Sequence, residues 1–482
     1  MRTHPGLGLA AAAWLALAAA FAPAQEPAPA PTPAPAPTPA PAPSASERLE
    51  TWPSGTVKLR VPLDEQGREH GLMETFAENG TKTSAINWAH GQKHGTAKEW
   101  DEQGKKLRFL AFKDGALHGR CEEFHATGRT SSAGSYRDGL RTGPWTFEDE
   151  TGLRRKTADY KDDLQHGPTR IHLGDKLASK QTWKLGVLEE RDGLRPFAIP
   201  KLQRIRDLRA IHDAAPGSLD ATDPLAAERA AALRRLQTYR ALCGLPFAGM
   251  SLVPEWNQKC DAAAEVCRRI GKLDHTPPKP DGVDDVRYQL GYEGAGHSNL
   301  AIDDSLPSSV DGYMDDSDAS NIDRIGHRRW CLNPPMKKTG FGSDGTFHAM
   351  WSFDESGQDP KGLDAVYYPP PGYVPVDLFS PRRAFSIMIV RGTTPKKDDL
   401  AVSLRALDDD FMPIGGEFGL DHCEVAPSGF GGQPCIVFRP TGFAVEPGVR
   451  YLIEVSYDKG KTHQHVYIVE FVEGIVEGGA GR

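Results

Sequence analysis

A glycine recurs every 24 residues, five times over, at Gly71, Gly95, Gly119, Gly143 and Gly167. The residue before it is His70, His94, His118, Thr142 or His166, so the register does not slip. An aromatic or large apolar residue follows at Phe76, Trp100, Phe124, Phe147 and Ile171, and a second glycine closes each unit at Gly80, Gly104, Gly128, Gly152 and Gly174. A fixed period of this size predicts stacked supersecondary units. Each unit holds two short β-prone stretches around a glycine turn, as at 96–100 and 107–112 around Asp101-Glu102-Gln103-Gly104. Asn79-Gly80, Asp114-Gly115 and Asp138-Gly139 supply the positive φ that tight hairpins require. Trp88, Phe112, Tyr136, Tyr160 and Trp183 are then expected to form a ladder down one face. One hairpin cannot bury such a face, but a stack of five can.

The H-G-x(4)-[WF]-x(3)-G pattern over residues 55–190 resembles MORN-type repeats, in the variant found in bacterial antitoxin-component proteins. The resemblance implies a surface that meets proteins or lipid. The in-phase histidines suggest a metal ladder, but two strand spacings separate repeats by about 10 Å, more than one ion can share. A turn-stabilising role is the expectation for them.

The N-terminus reads as a targeting segment. Arg2 precedes an apolar, alanine-rich run over 7–22, and Ala22-Pro23-Ala24 fits a cleavage site, giving a signal peptide over 1–24. A Pro/Ala-rich linker over 25–50 follows, with proline at every second position from 27 to 43, a stiff polyproline II spacer. No later segment is apolar enough for a membrane span, so the expected location is secreted or periplasmic. At 482 residues the chain has room for about three domains. A net charge of −8 without a basic stripe argues against nucleic acid as partner. Seven cysteines in an exported chain predict disulfides with one left over; Cys423 and Cys435 flank a glycine-rich loop and could staple it. Cys260 and Cys267, seven apart on one helix, are too distant to bridge each other.

Glycines thin out after Gly193 and helical spacing begins. Asp223-Pro224 opens one helix that ends at Cys243-Gly244, and a second runs from about Pro254 to Gly271, with His275 just beyond. This order, continued by Gly296-His297-Ser298-Asn299-Leu300-Ala301 and by Gly326-His327-Arg328-Arg329-Trp330, resembles the CAP superfamily of cysteine-rich secretory and pathogenesis-related proteins. The resemblance covers about 224–356 and implies an α-β-α sandwich within 200–360. It also implies a cavity of two histidines and two glutamates that in some members holds a divalent metal.

Carried over residue by residue, the tetrad is incomplete. His275 matches the first histidine. Ser298 stands where a glutamate belongs, with Glu293 and His297 nearby, and Gly345 takes the place of the second histidine. His327 and one of Asp315 or Asp316 are the substitutes. The cavity candidates are therefore His275, Glu293, His297, Ser298 and His327. His275, His297, His327 and His348 are the candidate ligands of a divalent metal such as zinc, although none has the His-x(3)-His spacing of one helical face. Arg328 and Arg329 beside Trp330 could hold an anion, but a buried Arg paired with Asp323 or Asp318 is the more ordinary expectation. No G-x-S-x-G, Cys-Gly-x-Cys-Trp or H-E-x-x-H motif marks a catalytic site.

Short alternating stretches after the proline hinge at 369–373 predict an immunoglobulin-like β-sandwich over 376–475. The fold expectation is a multidomain α+β chain: hairpin repeats, α-β-α sandwich, β-sandwich. The functional expectation is an exported, non-catalytic binding or scaffold protein engaging a cell-surface, lipid or protein ligand. The alternative is a hydrolase acting on peptide or cell-wall material through the cavity. An antitoxin role, suggested by the repeat type, conflicts with the export signal.

Overall fold

The architecture comes from a computed structural model, whose described residues are 46–429, 432–457 and 462–476. The expected signal peptide and the 27–43 spacer lie outside them. The repeats form one 14-stranded antiparallel sheet whose strands follow chain order from Ser46–Thr51 to Val187–Arg191. Each repeat glycine faces an aromatic residue on the next strand: Gly71 with Trp88, Gly95 with Phe112, Gly119 with Tyr136, Gly143 with Tyr160 and Gly167 with Trp183. At Gly95 φ is +94°, in the left-handed region that favours glycine, and a Cβ there would come 3.3 Å from Asn87 Cβ. The glycine row and the aromatic row are two halves of one packing device.

The in-phase histidines serve the turns. His70, His94, His118 and His166 each present Nδ1 to the backbone N–H of the residue that opens a later tight turn: His90, Asp114, Asp138 and Leu185, at 3.3 to 3.5 Å. Those four turn residues all have φ near +50°. Where Thr142 replaces the histidine, Asp163 accepts instead from the Arg141 backbone N–H at 2.8 Å.

Six helices follow: α1 (Lys201–His212), α2 (Ala226–Leu242), α3 (Pro254–Ile270), α4 (Asp285–Gly296), α5 (Leu306–Asp315) and α6 (Gly326–Cys331). Pro254 starts α3 and Gly271, at φ +74°, ends it. The Asp284 carboxylate caps α4 by accepting from Arg287 N–H. Helices α3 and α4 approach so closely that a Cβ on Gly294 would lie 2.1 Å from the Lys259 carbonyl oxygen. Between α4 and α5 the chain enters a three-stranded sheet of Ser298–Ile302, Phe347–Trp351 and Phe341–Asp344. No helix among the described residues is long and apolar enough to cross a membrane.

The expected fold class is corrected here. The chain is mostly β, 41% strand against 19% helix, and the 14-stranded antiparallel sheet dominates it; it is not an α-β-α sandwich, and a multidomain organisation is compatible with it. The physical reason is where the helices spend their apolar faces. Leu208 of α1, Leu236 and Tyr239 of α2, and Val310 and Met314 of α5 belong to the same core cluster as Phe385, Phe438, Tyr451 and Phe471. The C-terminal strands form a four-stranded sheet (Ala365–Tyr368, Phe385–Ile389, Cys435–Pro440, Leu420–Ala426) and a five-stranded one. The latter includes a parallel pairing of Gly372–Pro375 with Thr462–Val472.

The large sheet docks on this body at one end. Trp183 and Leu188 pack with Leu407, Phe411, Leu452 and Ile468. Arg154 reaches Asp408 at 2.6 Å and Asp410 at 2.9 Å, and Lys156 pairs with Asp410. All seven cysteines are free, so the predicted disulfides are corrected too. Cys423 lies opposite Phe438 and Cys435 opposite Ala426, out of register for the expected staple.

Candidate functional site

Three of the candidate residues sit on neighbouring segments. His297 ends α4, Ser298 begins the strand after it, and His327 stands on α6. Asn299 joins them: its Nδ2 donates to the His327 carbonyl at 3.0 Å, and its backbone N–H donates to Ser352 Oγ at 3.0 Å. Ser352 N–H in turn donates to the His297 carbonyl at 2.9 Å.

His327 has the most defined chemistry. Asp316, at φ +45° just past α5, turns its carboxylate onto the start of α6. There it accepts from the His327 backbone N–H at 2.9 Å and lies 2.8 Å from His327 Nδ1. A carboxylate can only accept, so Nδ1 carries a proton, and in the neutral ring the lone pair is on Nε2. The Asp316 side chain is buried and His327 is 24% exposed. A cleft of about 700 Å³ runs beside Asp316, lined by Asp315, Asp318, Arg382, Asp421 and Arg439. The nearest thiol in this network, Cys331, contacts Asn299 Nδ2 at 3.6 Å, but burial first, then Asp316, pushes its pKa far up. That thiol is a poor nucleophile.

His297 belongs to an aromatic strip instead. Its ring lies 4.9 Å from Trp351, stacked at 4°, and meets Phe353 edge-on at 5.2 Å. Trp351 stacks on Trp256 at 5.2 Å, and Phe353 on Trp330 at 4.2 Å. Lys259 Nζ sits 5.2 Å from the Trp351 ring centre and also pairs with Glu293. The rings come from α3, α4, α6 and the end of the Phe347–Trp351 strand. Only Phe353, at 44%, is markedly exposed, which gives the strip an apolar tip on a rigid base.

The remaining candidates have local partners. His275 Nδ1 lies 2.8 Å from the Ala295 carbonyl oxygen. Ser298 is buried with its hydroxyl 3.5 Å from Cys260 Sγ. His348 is buried, with Nε2 at 3.0 Å from the Asp303 carbonyl oxygen. Among the described residues, no three His, Cys, Asp or Glu groups that include His275, His297, His327 or His348 come within common reach of an ion. The single such group lies in the repeat sheet: Asp64, His70 and His90. The expected pairing of Arg328 with Asp323 or Asp318 is also corrected. Its guanidinium donates to the Met314 and Ala384 carbonyls at 2.8 and 2.7 Å, and to Ser386 Oγ at 3.2 Å.

Sequence reading did not find the strip, because Trp256, Trp351 and Phe353 have no shared spacing. It passed over Asp64 and His90 because they fall outside the repeating histidine phase. No family model matches the chain, and no curated protein matches it.

Proposed function

We propose that the chain is an exported, non-catalytic binding and scaffold protein, with MORN-type repeats presented beside the helical segment that resembles the CAP superfamily. Its partner would be a protein or other cell-envelope component. One observation carries the reading. The aromatic face of the 14-stranded sheet is covered at Trp183 by Phe411, whereas Trp88, Phe112 and Tyr136 on the same face stay half-buried. A partly exposed aromatic row on a rigid sheet has the residue types enriched where partners are anchored. The test compares the full chain with a Phe112→Ser/Tyr136→Ser variant on glycan and lipid arrays and in pull-downs from envelope fractions. Binding by the wild type and its loss in the variant is expected; equal binding by the two sinks the reading.

A hydrolase acting on peptide or cell-wall material is the second reading, and the His327–Asp316 pair favours it, since an oriented imidazole with a free Nε2 is a general base in waiting. Peptidoglycan or peptide turnover abolished by His327→Ala would support it. Turnover that survives the substitution removes this site as its source.

A further inference from the structure

We propose that Asp64, His70 and His90 form a zinc site at the first repeat. The chain departs from its own pattern here. Three of the later tight turns open with Asp114, Asp138 and Asp162 and the last with Leu185, all in the left-handed region, and the corresponding residue of the first turn is His90, at φ +51°. That exchange sets its ring beside the repeat's own histidine, His70, with ring centres 4.7 Å apart and planes at 44°. Asp64, in the loop before His70, completes the set, and the three ligand atoms lie within 4.8 Å of one another.

The hydrogen bonding already gathers positive charge at this point. Asp64 Oδ1 accepts from the Gln66 and Arg68 backbone N–H groups at 3.0 and 2.9 Å, which fixes the carboxylate. Its other oxygen, Oδ2, lies 3.1 Å from His90 Nδ1. A carboxylate oxygen and an unprotonated imidazole nitrogen at that separation repel unless positive charge or a proton joins them. Arg68 supplies the charge: its Nε lies 2.9 Å from Asp64 Oδ2 and its Nη2 2.9 Å from His90 Nδ1. The guanidinium is half exposed on a flexible stem, so it can swing out and leave both lone pairs to an ion.

Two imidazoles and one carboxylate suit zinc better than magnesium or calcium, which take oxygen ligands. Three protein ligands leave a fourth position to water. The repeat histidines one period apart do not meet in this way; the site arises because His90 stands out of phase. Bound zinc would tie the 64–70 loop to the turn at 90–91 and hold the first repeats together, where a stacked array has fewest neighbours.

The full chain, dialysed against chelator, is titrated with zinc chloride by calorimetry. One equivalent is expected to bind saturably. His90→Asp restores the residue of three of the later turns, so the sheet keeps its turn chemistry, and it should weaken binding at least about tenfold. Arg68→Ala removes the competing cation and should tighten binding. His275→Ala with His327→Ala should leave it unchanged. No saturable binding by the wild type, or equal affinity in His90→Asp, overturns the proposal.

Discussion

Gly134 offers the sharpest test of how the large sheet is packed. A Cβ built there would lie 2.1 Å from Trp145 Cδ2, 2.3 Å from Cε2 and 2.5 Å from Cγ, so the indole lies flat across the glycine. Trp145 is 3% exposed, and its Nε1 donates to the Ser135 carbonyl at 3.2 Å. Its ring meets Tyr136 edge-on at 5.1 Å and stacks on Phe147 at 5.9 Å. To admit Gly134→Ala the ring must move by about 1.5 Å to reach ordinary contact distance. Overpacking of this kind costs about 1–3 kcal/mol. Disturbed aromatic pairs add about 0.5–1.5 kcal/mol, and the stiffer unfolded chain returns about 0.4–1 kcal/mol. The net expectation is a loss of about 0.5–4 kcal/mol, with its centre at about 2 kcal/mol. Trp145→Ala alone should cost about 3–5 kcal/mol. In that background Gly134→Ala meets no ring and becomes neutral or slightly stabilising, a coupling of about 2–3 kcal/mol. A chain this large need not unfold in one step, so the assay is native-state hydrogen exchange of the Thr130–Arg137 and Leu140–Glu148 strands. Additive effects, within about 0.5 kcal/mol, would refute the argument that the glycine exists to seat the indole.

Arg240 is fully buried and donates to the carbonyls of Pro246, Cys331, Asn333, Pro334 and Met336, so Arg240→Met should cost about 3 kcal/mol or more, read as a lowered melting temperature. A melting temperature equal to wild type would refute that role. Asp410→Ala removes the partner of Lys156 and one of the two partners of Arg154 and should raise hydrogen exchange in the Lys176–Lys184 strand; unchanged exchange there means the Asp410 ion pairs do not hold the sheet to the body. His465 is buried between Tyr367 and Tyr457, and burial lowers its pKa from 6.5. A depressed histidine is neutral in the fold and takes up its proton more readily when unfolded, so its stability is complete above pH 6.5 and falls away on acidification through the lower folded value. His465→Gln should flatten the melting curve between about pH 5 and 7; an identical slope to wild type counts against it. Six of the seven cysteines are buried and Cys423 is the partly exposed one; burial pushes the Cys121 thiol to about 11 and the Cys243 and Cys260 thiols to about 12. A thiol reagent should therefore titrate one cysteine quickly in native protein and all seven after denaturation, and fewer than seven would reveal a bridge.

The period was legible because it is a covalent rhythm. Residues 24 apart land in equivalent places on successive hairpins, so the aromatic row from Trp88 to Trp183 can be read without knowing any long-range contact. The same habit hid His90, since attention to one histidine phase excludes a ligand from another. The shared core was illegible for a different reason. The spacing of Leu236, Tyr239 and Leu242 says that α2 has an apolar face, but not that Tyr368 and Phe379 will cover it from more than a hundred residues away. Motif order identified the segments around His297 and His327, yet the strip depends on five rings meeting in space. Asp316 was within reach of sequence reading as a substitute acid, but its role as cap and orienter depends on the left-handed turn after α5.

The anchoring of Trp183, Arg154 and Lys156 on residues 408–411 gives the large sheet a direction. Its C-terminal end cannot be extended without detaching it from the body. Among the described residues, its other end, at Ser46–Thr51, carries no such obligation. An added or deleted unit of 24 residues near that end would preserve every turn and every facing of glycine with ring. It would move the N-terminal segment by two strand spacings, about 10 Å. The sheet is thus a ruler graduated in repeats, fixed at one end, on which duplication within the gene can set how far the first strand stands from the body.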